Sequence, residues 1–503
     1  MAPALLLRVK AAMAATTASQ SNIALAYEAC HLWSELPIHD FPADSVRAIS
    51  LVLHATCLSR VGRDTKAVQV YQSCLLMEKY LEPNTLEDVK IGRASALQRL
   101  MRYDEAIHQF LDCSTANQRG VMGGVTCCLR LGQLERAAQL LEMSSSGIQT
   151  RAMLAVLNVL QGTLIDANKR EALNDGAVES PLFCWVAQVL GVARDGESNT
   201  FDHLEVSSIN QSPLDDPLLL ELDDKVKLHR LLAGKGTSFW PTGFILPDDI
   251  DAFQQHVMHR GEGMGKEWIL KSRAGYGSHG NEIMTADEII KHYAGTSSAD
   301  PCLCQRLVDP PLLLNNRKFS MRIYVYYFTD GSVYLSNLGL VKLASMEYRQ
   351  GADDDRMHMT NSGREDIMLQ YDLTFLRDQK FQNKGRSFAS IWADIEVAVK
   401  ETMNCFQVHC NTSLIEGTEY RLVLARLGIP KILGFDFMVT ESLHPMLLEV
   451  NRFPGLEPRG DGDELVKPAV VRDAWRCASE MMDVSGIVDR ASMTDGVSHS
   501  KLL

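Results

Sequence analysis

The chain has 503 residues, of which 46% are hydrophobic and 22% are charged, and its formal net charge is -13 at pH 7. This length predicts about two to four domains with sizeable cores, and the composition excludes a disordered chain. The acidic balance argues against a general nucleic-acid binder, and no apolar run is long enough to predict a membrane span. The 12 cysteines include no CxxC pair, so we expect reduced thiols in a cytoplasmic protein.

The first part of the chain is predicted to be helical. Residues 1–21 contain no acidic side chain and are expected to form a flexible terminus, whereas residues 22–195 show continuous helical periodicity. In this region a turn residue precedes an alanine by five positions in four places: Gly62 and Ala67, Met101 and Ala106, Gly132 and Ala137, and Gly162 and Ala167.

These copies recur roughly every 30 to 40 residues, close to the approximately 34 residues of a tetratricopeptide repeat. The physical reason for this repeated pattern is a tight turn between helices, followed by a small residue where two helices cross closely. Residues 22–195 are therefore predicted to form a tetratricopeptide-like repeat domain that binds a protein partner. A helical bundle that reuses similar turns is the alternative.

The rest of the chain has a mixed pattern. Residues 196–216 lose the helical period and collect Gly, Ser, Asn, Asp and Pro, which predicts a linker. Residues 217–484 alternate strand and helix patterns, beginning with a helix near Lys225, which predicts an α+β domain of catalytic type. Residues 485–503 are expected to be a flexible tail.

A glycine-rich stretch follows a predicted strand that ends at Lys271. Gly275, Gly277 and Gly280 lie in it, close to Arg273 and His279. Glycines allow backbone N–H groups to approach phosphate oxygens, and a lysine at the strand end supplies a positive charge. The spacing matches neither a Walker loop nor GxGxxG, so a plain turn between strands is an equal alternative.

Polar side chains also alternate along a second predicted strand. Lys318, Ser320 and Arg322 share one face because side chains in a strand point to the same side at every second residue. Lys342 ends the next predicted strand. Further polar residues come shortly after it, at His358, Thr360 and Asn361. Their order along the chain favours one anion-binding site over separate surface residues.

Three oxygen-bearing side chains lie on a predicted hairpin close to the end of the α+β region. Asp436 lies in a run of apolar residues, and Glu449 and Asn451 lie in the next one, after a short turn. Strands joined so closely should pair antiparallel. Carboxylates buried among apolar residues need a cation, and carboxylate and amide oxygens are ligands for magnesium. An ordinary hairpin with polar ends is the alternative.

About half of the chain, from Asp224 to Lys467, resembles the tubulin tyrosine ligase family, whose catalytic domain has the ATP-grasp fold. The resemblance rests on segments that stand in the family's order: QRLVDPPLLL, NNRKFSMRIYV, HMTN, GFDFMV and LLEVNRFPG. It implies ATP and Mg²⁺ as cofactors. Two features depart from the family: Ser320 stands where the family usually has Asp, and the glycine-rich loop lacks the common Arg-Gly-x-Gly-Ile form.

The resemblance also implies roles for the residues already noted. Lys225 and Lys271 would contact ATP, Arg322 and Lys342 would contact the phosphate and the acceptor carboxylate, and other residues would complete the nucleotide cleft. That group comprises Gln305, Arg306, Leu307 and Val308 as an adenine hinge, together with Lys318, Ser320, His358, Thr360 and Asn361. Asp436, Glu449 and Asn451 would hold magnesium.

The implied activity is an ATP-dependent ligase that adds an amino acid to a protein carboxylate through an acyl phosphate, with tubulin tails as the acceptor. Such a protein would be cytoplasmic and associated with microtubules or cilia. Two alternatives stay open: a repeat scaffold with a degenerate nucleotide-binding ligase domain, which the Ser320 departure favours, and a ligase with a different acceptor. The sequence does not distinguish among Tyr, Glu and Gly as the added amino acid.

Overall fold

The structure is a computed structural model that divides into two compact units, residues 1–179 with 416–420, and residues 180–415 with 421–503. It describes residues 3–18, 23–41, 43–61, 63–100, 102–114, 117–144, 148–160, 166–179, 181–189, 216–260, 267–273, 281–293, 301–349, 357, 360, 370–377, 387–412, 418–458, 463–482 and 499–503. None of the described helices is both long enough and apolar enough to cross a membrane.

The first unit is helical, as predicted. Its helices are α1 (Pro3–Ala18), α2 (Ile23–Ser34), α3 (Asp44–Arg60), α4 (Asp64–Leu75), α5 (Pro83–Arg99), α6 (Tyr103–Leu111), α7 (Gln118–Arg130), α8 (Leu134–Glu142), α9 (Ile148–Leu160) and α10 (Ala167–Glu179). Each helix from α1 to α10 packs against the next one in the chain, and α5 also contacts both α3 and α7. Packing between successive hairpins is the arrangement that helical repeats use.

Three of the four copies of the repeated pattern have a structural counterpart. Ala67, Ala106 and Ala137 are fully buried, as expected for small residues at helix crossings. Gly132 has a positive φ of 70° at the turn before α8, a conformation that favours glycine. Ala167 is exposed, so the fourth copy does not have the same role. The assignment to tetratricopeptide repeats stays a prediction.

The expectation of a flexible terminus at residues 1–21 is wrong for most of that range, because α1 spans Pro3–Ala18. Val9 and Ala12 of this helix are buried. Thr16 accepts a hydrogen bond from Trp33 Nε1 at 2.8 Å. The apolar residues of α1 therefore pack against other residues of the chain. The prediction of a flexible terminus rested on the lack of acidic side chains, which says nothing about such packing.

The predicted domain boundaries also shift. Helix α11 (Pro181–Val189) belongs to the second unit, although the repeat domain was predicted to extend to residue 195. Its Trp185 donates from Nε1 to the carbonyl of Leu427 at 2.6 Å. Asp216, the last residue of the predicted linker, is buried and accepts a hydrogen bond from the Tyr327 hydroxyl at 2.9 Å. The rest of the predicted linker lies outside the described residues.

The second unit contains two antiparallel sheets, which confirms the α+β prediction. The smaller sheet has the order β1-β4-β2-β3, and the larger one has the order β10-β9-β6-β7-β11, with β5 beside β6 and β8 beside β7. The strands are β1 (Gly243–Leu246), β2 (Trp268–Ser272), β3 (Glu282–Met284), β4 (Cys302–Arg306), β5 (Leu313–Leu314), β6 (Arg317–Tyr327), β7 (Val333–Leu343), β8 (Gln370–Asp372), β9 (Lys431–Val439), β10 (Pro445–Asn451) and β11 (His499–Lys501).

Helices accompany both sheets. They are α12 (Leu220–Asp223), α13 (Lys225–Leu232), α14 (Ile250–Arg260), α15 (Ala286–Tyr293), α16 (Thr374–Arg377), α17 (Phe388–Thr412), α18 (Thr418–Leu427) and α19 (Val466–Met482). One large core joins the apolar face of the larger sheet to α17, through residues such as Ile323, Phe435 and Ile395. The opposite face of β6 and β9 is thereby left for polar side chains.

The expectation of a flexible tail at residues 485–503 is wrong for its last part. Strand β11 pairs antiparallel with β7, opposite Tyr334–Ser336. His499 is buried, with Nδ1 3.1 Å from Asp473 Oδ1. Leu502 and Leu503 pack against the large core. Strand pairing with a distant segment is a tertiary interaction, so the local composition did not predict it.

Candidate active site

A cleft with an empty volume of about 730 Å³ lies in the second unit, and it contains most of the predicted site residues. The cleft is lined by Ile269, Lys271, Asn281, Ile283, Gln305, Arg306, Leu307, Val308, Lys318, Ser320, Thr360, Asp436, Met438, Leu448 and Glu449. The sequence analysis did not predict the apolar residues of the lining. The available signal was spacing, because Ile269 and Met438 stand two positions from Lys271 and Asp436 on their strands.

A β-bulge decides the position of Glu449. Strands β9 and β10 form the predicted antiparallel hairpin, but their register shifts between Leu447 and Glu449. Leu447 lies opposite Phe437 and Glu449 lies opposite Asp436, so Leu448 is the additional residue. Without the bulge, Glu449 would point to the core side of the sheet, because a one-residue shift turns a side chain to the other face.

Asp436 forms a two-point ion pair with Arg322, the residue directly opposite it on β6. Arg322 Nε lies 2.5 Å from Asp436 Oδ1, and Nη2 lies 2.7 Å from Oδ2. Burial opposes the ionisation of Asp436, but Arg322 and Lys342 outweigh that penalty and lower the pKa of the carboxyl to about 2. Asp436 is therefore a carboxylate at neutral pH.

The other two predicted metal ligands are next to this pair. Asn451 Nδ2 donates to Asp436 Oδ2 at 3.2 Å and to Glu449 Oε1 at 3.3 Å, so its carbonyl oxygen is left for another contact. Lys225 Nζ lies 3.5 Å from Glu449 Oε2. These contacts occupy only part of the acceptor capacity of two carboxylates.

The residues fit a divalent cation that prefers oxygen ligands, with Asp436, Glu449 and Asn451 as the ligands. The set has two carboxylates and one amide. Accordingly, no group of three or more His, Cys, Asp or Glu side chains placed to hold a metal occurs in the described part of the chain. With only three protein ligands, the site leaves other coordination positions of the cation for oxygens of a substrate.

Lys271 links the small sheet to the bulge. Its Nζ donates to Gln305 Oε1 at 2.6 Å and to the carbonyl of Leu448, the additional residue of the bulge, at 3.1 Å. Burial lowers the pKa of Lys271 to about 8, although Glu449 acts in the opposite direction. This lysine is held at the cleft wall close to the carboxylates, where an anionic ligand would favour its charged form.

The predicted adenine hinge lines the cleft, but part of its backbone is already bonded. Arg306 N–H donates to the Thr242 carbonyl at 2.9 Å, and Leu307 N–H donates to the Glu267 carbonyl at 2.8 Å. The side chain of Gln305 also takes part in the cleft wall, because it accepts the hydrogen bond from Lys271. The role of these four residues as an adenine hinge stays a prediction.

Lys318 is fixed by groups that the sequence did not reveal. Its Nζ lies 4.5 Å from the centre of the Tyr348 ring, a cation–π arrangement. The Tyr348 hydroxyl donates to Asp309 Oδ1 at 2.7 Å. Burial lowers the pKa of Lys318 to about 8, partly offset by Asp309. Lys318 therefore reaches the cleft from a preorganised position.

Ser320 and Lys342 face each other across β6 and β7. Ser320 lines the cleft, and Lys342 is buried. Burial and Arg322 lower the pKa of Lys342 to about 8, against the attraction of Asp436 and Glu449. Thr360 lines the cleft as predicted, whereas His358, Asn361 and residues 274–280 of the glycine-rich stretch lie outside the described residues.

The model of the tubulin-tyrosine ligase family matches residues 219–484, which is more than half of the chain. The chain belongs to this family. Over 263 residues it is 27% identical to the tubulin monoglutamylase TTLL4 of Mus musculus, covering 48% of this chain and 21% of that protein. Over 301 residues it is 25% identical to the tubulin polyglutamylase TTLL11 of Homo sapiens, covering 52% and 42%.

The matched region thus spans about a fifth of the first relative and about two fifths of the second. The family match at residues 219–484 covers most of the α+β region and includes the residues that line the cleft. The helices α1 to α10 lie outside it. Both relatives carry names that describe tubulin glutamylases.

Proposed function

We propose that this protein is an ATP- and magnesium-dependent ligase that adds glutamate to carboxylates of tubulin tails. The observation that carries the proposal is the group formed by Asp436, Glu449 and Asn451, held by Arg322 and Lys225 at the wall of the cleft. Membership of the ligase family supports the reaction class. The names of the similar glutamylases support glutamate and tubulin.

A carboxylate is a poor electrophile toward an amine, so it must first be activated. Bound ATP would supply the phosphoryl group that converts the acceptor carboxylate to an acyl phosphate, and Mg²⁺ would neutralise phosphate charge. Asp436, Glu449 and Asn451 would hold the ion. Lys271 and Lys318 would offset the remaining phosphate charge from fixed positions, which is the preorganised stabilisation that enzymes use.

The contacts change the role that the resemblance implied for Arg322. Two of its donors are directed to Asp436, so its first role is to orient a metal ligand. A guanidinium has five N–H groups, so others are left to donate to a phosphoryl or carboxylate oxygen of the substrate. Arg322 thereby joins the metal ligands to the substrate groups.

The helical first unit is proposed to bind a protein partner and to recruit or orient the substrate. The hairpin packing of α3 to α10 supports this role, because stacked helical hairpins present extended binding surfaces. We further propose a cytoplasmic location associated with microtubules or cilia, where the tubulin substrate is found.

The test is incubation of the purified full chain with microtubules, Mg²⁺, ATP and labelled glutamate, tyrosine or glycine in separate reactions. Mass spectrometry of the tubulin tails should detect added glutamate with the unmodified protein and not with Glu449→Gln, whose fold is checked by circular dichroism. Incorporation of another amino acid would correct the substrate. Nucleotide binding without any incorporation would favour a scaffold with a degenerate ligase domain, or a ligase with a different acceptor.

A further inference from the structure

Three consecutive residues at the junction of α12 and α13 are bonded to both sheets of the second unit. Asp224 lies between the two helices with extended backbone, at φ -74° and ψ 115°. In extended backbone, successive side chains point to opposite sides. Asp223 and Lys225 therefore point one way and Asp224 points the other, and the contacts of the three residues follow this division.

Asp223 and Lys225 are bonded to the larger sheet. Asp223 Oδ1 accepts a hydrogen bond from the N–H of Arg452 at 2.9 Å, and Arg452 directly follows the proposed metal ligand Asn451. Lys225 Nζ lies 3.5 Å from Oε2 of Glu449, a second proposed ligand. The junction is thereby fixed to the end of β10 that carries these ligands.

Asp224 is bonded to the smaller sheet. Its Oδ2 accepts two hydrogen bonds from Arg273, one from Nε at 2.9 Å and one from Nη2 at 2.6 Å. Arg273 directly follows β2 and stands two residues after Lys271. The backbone N–H of Lys225 also donates to the carbonyl of Arg273 at 3.4 Å. Two links thus join the end of β2 to the start of α13.

The two oxygens of the Asp224 carboxylate have separate tasks. Oδ1 accepts from the N–H groups of Val226 at 2.9 Å and Lys227 at 3.2 Å, which caps α13. Asparagine caps a helix about as well as aspartate, so this task requires no charge. Oδ2 pairs with Arg273, and only 9% of the Asp224 side chain is exposed. The ion pair is therefore the part of the arrangement that requires an aspartate.

We propose that Asp224 and Arg273 are positioning residues that hold the two walls of the cleft together at the phosphate end of the nucleotide. This assignment rests on the proposed ligase function. Lys271 on the smaller sheet and Glu449 on the larger one belong to that end of the cleft. Asp224 and Arg273 are not among the described residues that line the cleft, so they act through the position of Lys271 relative to Lys225 and Glu449.

The chain offers variants that separate the ion pair from the helix cap. Asp224→Asn keeps an oxygen for the cap and removes the charge that faces Arg273. Arg273→Gln removes the pair from the other side, whereas Arg273→Lys keeps a positive charge there. Glu221→Gln is the matched control, because it removes a 2.5 Å ion pair with Lys227 in the same two helices, whose side chains are 19% and 21% exposed.

The experiment uses the full chain and measures the Kd for ATP and the Kd for adenosine by calorimetry with Mg²⁺, with circular dichroism as a folding check. Asp224→Asn and Arg273→Gln should each raise the Kd for ATP about fivefold or more, the low end of couplings between two sites. The Kd for adenosine, which has no phosphate, should change much less. Arg273→Lys should recover part of the affinity for ATP, and Glu221→Gln should keep all of it.

The double variant Asp224→Asn with Arg273→Gln should bind ATP no more weakly than the weaker single variant, because both changes break the same pair. An unchanged Kd for ATP in both single variants would overturn the proposal. Equal weakening of ATP and adenosine would also overturn it, and so would a Glu221→Gln variant as weak as Asp224→Asn, since each result indicates a general effect on the fold.

Ligation of labelled glutamate to microtubules is measured on the same proteins, so that the two proposals fail separately. If the unmodified protein binds ATP but ligates nothing, and the variants lose affinity for ATP alone, the proposed function is refuted and the positioning role is retained. If the unmodified protein ligates glutamate and the variants match it in both Kd and turnover, the positioning role is refuted and the proposed function is retained. Absence of ATP binding to the unmodified protein would refute both.

Discussion

Arg322 and Asp436 lie directly opposite each other on β6 and β9, and two hydrogen bonds of 2.5 and 2.7 Å join their side chains. Both residues are buried. Removal of the arginine would leave a carboxylate in the interior without its counter-ion, and this is the costly way to break a buried pair. The pair therefore couples the stability of the larger sheet to the position of Asp436, a proposed metal ligand.

Arg322→Ala should lower the free energy of unfolding by about 3–5 kcal/mol. Arg322→Met combined with Asp436→Asn should recover most of this loss, because no uncompensated charge then remains. Urea denaturation followed by circular dichroism measures both. A loss below about 1 kcal/mol in Arg322→Ala would contradict the buried pair, since such values are typical of exposed ion pairs.

Gly434 provides the space in which Arg322 lies. A Cβ atom at Gly434 would be 2.9 Å from Arg322 Cδ and 3.0 Å from Pro454 Cβ. Gly434→Ala should displace the guanidinium, reduce ligase turnover at least about tenfold and cost roughly 1–3 kcal/mol of stability. Turnover and denaturation are the measurements.

Gly455→Ala is the matched control, since a Cβ there meets no atom within 4 Å. It should keep both turnover and stability close to those of the unmodified protein. Equal effects of the two substitutions would show that the space beside Arg322 is not what matters.

The buried lysines should make nucleotide binding depend on pH. Burial lowers the pKa of Lys271 and of Lys318 to about 8, and bound phosphate should raise both values. ATP binding at pH 8–9 should therefore take up protons, and the affinity should fall as the pH rises above 8. Calorimetry in buffers with different ionisation enthalpies measures the uptake, and an affinity that is constant from pH 7 to pH 9.5 would contradict it.

The same shifts have the opposite effect on the stability of the ligand-free protein. Between about pH 8 and the usual lysine pKa near 10.4, the unfolded chain binds more protons than the folded chain. The contribution of these lysines to the free energy of unfolding should therefore increase with pH across that range. Urea denaturation at pH 8 and at pH 10 measures this change in the free energy of unfolding.

Tyr348 should act on nucleotide binding through Lys318. Tyr348→Leu removes the ring 4.5 Å from Lys318 Nζ and the hydrogen bond to Asp309, and should weaken ATP binding about two- to fivefold, the usual strength of an exposed cation–π contact. Tyr348→Phe keeps the ring and should have a smaller effect. If the phenylalanine variant binds ATP as weakly as the leucine variant, the hydrogen bond to Asp309 and not the ring positions Lys318.

The sequence alone determined the side on which each polar residue of a strand lies. Lys318, Ser320 and Arg322 share a face because strand side chains alternate, and Asp436 was predicted correctly on one strand of an antiparallel hairpin. Helical periodicity likewise determined the first unit, down to the buried Ala67, Ala106 and Ala137. These predictions depended on the local chain, whose geometry repeats with a fixed period.

Only the tertiary structure decided which of these residues meet. The strand order places β6 between β7 and β9, which brings Arg322 to Asp436 and Ser320 to Lys342. The bulge at Leu448 turns Glu449 toward Asp436, and β11 joins the edge of β7 from a segment predicted to be flexible. Pairing between distant segments depends on the packing of the whole domain, so no local pattern in the sequence could determine it.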